Sequence, residues 1–182
     1  MALKNNPVPA SAGQPRFPIR FITDTRWAWF WLIVRLYVGW QWIAAGSAKL
    51  TDATWVGSKA GVSLAGFLNH SLTLATGAHP NVQPWYAWFV QNIVLPQVAA
   101  WSYVVSFGEF LVGVGLLLGI LTGFAAFFGG LMNFNYLLAG SVSVNPILLV
   151  LEIGLVLAWR IAGWWGGDRW LQPALSRIRI RR

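Results

Sequence analysis

Residues 98–139 read VAAWSYVVSFGEFLVGVGLLLGILTGFAAFFGGLMNFNYLLA. One formal charge, Glu109, lies in this stretch, and only Gly119–Thr122 interrupts its two apolar runs. A helix rises about 1.5 Å per residue, so about 20 apolar residues cross the hydrocarbon core of a bilayer. The runs 98–118 and 121–139 meet that requirement, and the tight turn between them makes an antiparallel hairpin. Outward from the hairpin, 27–47 and 146–165 are two further runs of that length, the latter opened by Asn145-Pro146 with proline at the first helical position. The expected fold is an all-α membrane protein, a four-transmembrane-helix bundle.

Composition points the same way. Of 182 residues, 57% are hydrophobic, 13 are tryptophan and only 10% are charged, against about 25% charged in soluble domains. A water-soluble fold of this length has too little interior to hide so much apolar surface, which excludes a soluble enzyme. Cysteine is absent, which removes disulfides, thiolate metal sites, cysteine-held iron–sulfur clusters, persulfide chemistry and cysteine nucleophiles.

Charge placement sets the expected orientation. Lys4, Arg16, Arg20 and Arg26 precede the first run, and Arg169, Arg177, Arg179, Arg181 and Arg182 follow the last. The loop 48–97 holds only Lys49 and Lys59, partly offset by Asp52, and the other two connections are uncharged. Both termini are therefore expected in the cytoplasm of a prokaryote, around a membrane domain spanning 27–171. Residues 1–26, with Pro7, Pro9, Pro15 and Pro18, read as a partly disordered cytoplasmic arm. No secretory apolar region precedes residue 27. Ala44–Ala48 superficially resembles a cleavage site, but the run before it is too long and carries Arg35. The basic tail 172–182 suits anionic lipid headgroups better than nucleic acid. Within the outer loop, Val56, Ala60, Leu64, Phe67, Leu68 and Leu72 approximate a helical stripe, and Pro84 opens an aromatic piece that closes before Pro96. These read as amphipathic interfacial helices between helices 1 and 2, serving equally well as a lid or as a ligand entrance.

Three ionisable residues stand where lipid would surround them. Arg35, Glu109 and Glu152 each cost about 2.5–3.5 kcal/mol at mid-bilayer, so together about 8–10 kcal/mol if they faced lipid. They are expected to turn inward and meet, Arg35 reaching Glu109 and part of the way to Glu152, with Gln41, Asn133 and Asn135 supplying neutral hydrogen-bonding groups. Such a cluster either fixes helix register or binds a ligand and moves protons. Arg160 sits near the end of its run and can snorkel. His70 and His79 are loop residues without a metal-ligand spacing, Asn69-His70-Ser71 is a chance-grade sequon, and no phosphate-binding loop occurs. Gly115, Gly119 and Gly123, with Ala125 and Gly129, repeat the four-residue spacing that lets membrane helices approach closely.

Arg35-Leu36-Tyr37-Val38-Gly39, followed by Ala45-Gly46-Ser47-Ala48-Lys49-Leu50, resembles the first-helix signature of the DoxX family. Glu109, Gly113, Leu117, Gly119 and Gly123 resemble its second helix and turn, and Ala162–Leu171 is similar to the close of the longer, DoxD-like members. The resemblance implies a four-span membrane subunit tied to quinone-linked redox work, as in thiosulfate:quinone oxidoreductase, and it draws attention to Arg35, Lys49 and Glu109. It implies quinone as ligand; the residues themselves offer no redox cofactor, metal or reactive sulfur, so electrons are expected from a partner subunit or a non-covalently bound cofactor, and the chain is not expected to be catalytic alone. A non-catalytic anchor or assembly subunit, and a small-solute transporter, are the competing readings.

Overall fold

The computed structural model describes residues 17–171; most of the expected arm and all of the basic tail 172–182 lie outside the described residues. Among the described residues all regular structure is helical. The hairpin forms as expected: α5 (Val98–Leu118) turns through Gly119 into α6 (Thr122–Leu138). Gly119 and Leu121 both take left-handed backbone conformations at φ 65° and 51°, a strained choice for leucine. Before the hairpin stands α2 (Ala28–Leu50), and after it α7 (Asn145–Leu157). Helix α2 packs on α5 and α7, and α6 packs on α5 and α7, which closes a ring.

The ring is inside out by soluble standards. Its interior buries Arg35, Ser102, Ser106, Glu109, Thr122, Asn133 and Glu152 at different levels beside apolar residues. Its outer faces present Ile33 and Trp40 on α2, Leu111 on α5, Phe124 on α6 and Val150 on α7, each more than half exposed. Apolar surface on every side of the ring calls for an apolar surrounding. By length and composition together, one continuous helical stretch among the described residues, Pro84–Leu118, is long enough and apolar enough to cross a membrane. Helix α2 has 23 residues, and α6 and α7 have 17 and 13.

Several expected boundaries shift. Residues 17–26, read as arm, form α1 (Phe17–Thr23) and a 3-10 turn (Thr25–Trp27). Phe21 stacks among Trp27, Phe30 and Trp31, and its carbonyl accepts a 2.9 Å bond from Trp31 Nε1. The fourth run does not continue as one helix to 165. It leaves α-geometry at Ala158 and resumes as α8 (Trp159–Ala162), which meets α1. In the 48–97 loop α3 (Val62–Thr73) buries Leu64 and Leu68 of the expected stripe, whereas Val56 and Ala60 lie in turns before it. The aromatic piece does not close before Pro96. Helix α4 (Pro84–Phe89) runs through a π-helical segment (Val90–Val94) and a 3-10 turn (Leu95–Gln97) directly into α5. Proline lacks an N–H and clashes with the carbonyl four residues back, and the locally widened coil accommodates it without a break.

The register of α2 against α5 is set by glycines. A Cβ at Gly46 would strike the backbone of Phe110, and one at Gly113 would lie 2.5 Å from the Ile43 nitrogen. Gly46→Ala and Gly113→Ala should each lower stability in detergent by about 1–3 kcal/mol. Gly66→Ala on α3, where the added methyl meets nothing within 4 Å, should be neutral or stabilising by about 0.5–1 kcal/mol; thermal unfolding of the three variants checks the contrast.

Candidate functional site

Arg35, Trp42 and Lys49 recur every seven residues along α2 and so share one face of it. Arg35 and Trp42 are buried and Lys49 is partly so. Each meets a different polar partner. Because Gly46 lies against Phe110 and Gly113 against Ile43, antiparallel pairing puts Lys49 level with Glu109 and Arg35 level with the 119–122 turn. About 21 Å of helix separates Arg35 from Lys49 at 1.5 Å per residue.

The structure therefore does not bring Arg35 to Glu109. Lys49 Nζ lies 2.6 Å from Glu109 Oε2, with the lysine 20% and the carboxylate 2% exposed. The Tyr136 hydroxyl, from α6, donates to the other carboxylate oxygen, Oε1. Lys49 also sits 5.0 Å above the ring of Trp55, so its ammonium is held by a carboxylate and an aromatic face. This is an ion pair at the edge of the interior, with the cation reaching outward and the anion sealed.

Glu152 has a separate niche. Trp42 Nε1 donates to its Oε1, and Asn133 Nδ2 donates to its Oε2 at 2.6 Å. Gly129 makes room: a Cβ there would fall 2.6 Å from Glu152 Oε1 and 3.0 Å from Trp42 Nε1. The Trp42 and Tyr136 rings stack at 6.5 Å, so the two carboxylate sites share a wall.

Arg35 serves the opposite end. Its guanidinium lies against Gly119 and Gly166, donates to the Trp165 carbonyl at 3.4 Å, and senses the charge of Asp168. Asp168 in turn accepts from the backbone N–H groups of Leu121 and Thr122 at 2.7 and 2.9 Å, and its own N–H donates to the Gly119 carbonyl. These bonds satisfy the exposed donors at the start of α6 and hold the strained Leu121.

Two expected members do not join the carboxylate clusters, although Asn135 lines the neighbouring groove. Gln41 turns to the Tyr37 hydroxyl at 3.3 Å, and the Asn135 amide bonds back to the Leu131 carbonyl at 2.8 Å. Both are satisfied within their own helices, which removes the need to reach inward. Trp42, Tyr136 and Asp168 went unrecognised in the sequence. Aromatic residues are too common here to stand out singly, but the 35/42/49 spacing is a readable signal for Trp42.

Beside the Glu109–Tyr136 pair runs a groove of about 810 Å³ between α5 and α6, roofed by Leu64, Phe67, Leu68 and Phe89. Its lining is apolar apart from Asn135, Tyr136 and Tyr86, whose hydroxyl donates to the Asn135 carbonyl at 3.1 Å. This combination of outward apolar faces, an inward ion pair and a long apolar groove describes a membrane protein. The chain matches the DoxX family over residues 30–142 and belongs to it. No curated protein and no solved structure matches the chain.

The niche of Glu152 makes a test by substitution. Glu152→Gln keeps an acceptor for Trp42 and can pair with a rotated Asn133 amide, so it should unfold within about 1 kcal/mol of wild type. Glu152→Leu strands both donors, which should cost about 1–3 kcal/mol for each. At the other end Asp168→Ala should cost about 0.5–2 kcal/mol, as removal of a helix cap does; denaturation midpoints in detergent order the three variants.

Proposed function

We propose that the chain is the quinone-interacting membrane subunit of an oxidoreductase, with α2, α5, α6 and α7 forming a four-span bundle. The observation that carries this reading is the contact between the Tyr136 hydroxyl and the Glu109 carboxylate at the wall of an apolar groove. A quinone needs a proton source at its carbonyl oxygens inside an apolar site. Tyr136 supplies a hydroxyl, Glu109 a carboxylate that can take and return a proton, and Lys49 a cation reaching the outer edge. Reduction to quinol consumes two electrons and two protons. The electrons come from a partner subunit or a non-covalently bound cofactor, and the protons pass through Glu109 and Tyr136.

Arg35 and Glu152 are positioning residues in this reading: Arg35 fastens the inner turn and Glu152 orients Trp42 beside Tyr136. The DoxD-like subtype, with thiosulfate as the ultimate donor, rests on the similarity of Ala162–Leu171. Orientation with both termini in the cytoplasm is supported by Arg20, Arg26, Arg160 and Arg169, which belong to segments at the end where α1 meets α8; Lys49 lies at the other end of α2.

Glu109→Gln and Tyr136→Phe in the assembled complex should each lower the rate of quinol formation by about 100-fold, the scale of a lost acid–base group. Subunit co-purification should be unchanged. Normal turnover with normal assembly would leave the chain as a non-catalytic anchor.

A further inference from the structure

We propose that the groove between α5 and α6 holds the isoprenoid tail of a membrane quinone, laid along the hairpin with the ring at Tyr136. This rests on the quinone reading above and adds to it the part of the ligand that the groove selects. The lining runs along α5 from Trp101 to Leu118 and ends at Ile120 and Leu121 in the turn. That is about 26 Å of helix, a slot far longer than a quinone ring. Ordinary compact ligands fill pockets whose few polar groups converge on them; here the polar groups sit together at one level and the rest of the slot offers only hydrocarbon.

Small residues create the slot. Gly108 faces Met132, whose Sδ would lie 3.4 Å from an added Cβ, and Gly115 faces Ala125. The lips are the exposed side chains Val104, Leu111, Phe124, Phe128 and Leu131, so a chain can enter sideways from lipid. Charge selects the head. No cation lines the groove among the described residues, and Lys49 at its polar end is already paired with Glu109. A phospholipid phosphate would find no counter-charge there, whereas a neutral ring carbonyl needs none.

Tryptophan quenching in the purified full-length protein can compare two quinones with the same ring, one long-tailed and one with a methyl in place of the tail. The long-tailed compound should bind at least about tenfold more tightly, since each buried methylene contributes. Gly108→Phe, which fills the slot, should remove that advantage and leave the short-tailed affinity unchanged; Leu111→Trp at the exposed lip serves the same purpose should Gly108→Phe fail to fold. Equal binding of both quinones, unaltered by either substitution, would overturn the tail site while leaving the ring site standing. Displacement of the long-tailed quinone by phospholipid at comparable concentration would also overturn it. Absence of quenching by either quinone would instead defeat the quinone reading itself.

Discussion

A carboxylate in hydrocarbon must be neutralised by something that arrives from another helix, and Glu109 meets that requirement through Lys49 and Tyr136. The pairing ties α5 to both α2 and α6 at one level. It explains why α2 runs on to Leu50 instead of ending near residue 47: the last turn must carry the ammonium to the carboxylate. It also places a polar pair at the wall of an otherwise apolar groove. Removing one partner of such a pair leaves a buried charge uncompensated, a heavier loss than the pair itself is worth.

The opposite end is fastened differently. There Arg35 presses on Gly119 and Gly166, and Asp168 binds the backbone of the 119–122 turn. The segment after α8 is thereby folded back on the hairpin. The two ends share a logic, with charged side chains bonded inside and aromatic or aliphatic ones outside, and the groove runs between them from Trp101 to the 119–122 turn.

The all-helical class, the hairpin and the inward turn of the ionisable groups were legible from composition and spacing, because burying or exposing a long apolar run outweighs any local preference. Partner choice was not. Depth alone put Arg35 within reach of Glu109; the actual register follows from Gly46 and Gly113, whose missing side chains set how α2 slides on α5, and that is a tertiary fact. Lys49 was assigned to the loop because apolar counting stopped before it. Pro96 read as a stop because a regular α-helix cannot hold it, whereas a 3-10 turn following a π-helical stretch does. Gln41 looked like an interior ligand, yet it finds a bond within its own helix, whereas Asn135 bonds within its helix and also lines the groove.

The Lys49–Glu109 pair is most directly tested by a double-mutant cycle with Lys49→Met and Glu109→Gln, read as thermal unfolding in detergent. The account predicts that each single change destabilises and that the double variant loses less than their sum, with a coupling of about 1 kcal/mol or more. Losses that add to within about 0.3 kcal/mol would mean that the two charges do not meet inside the bundle.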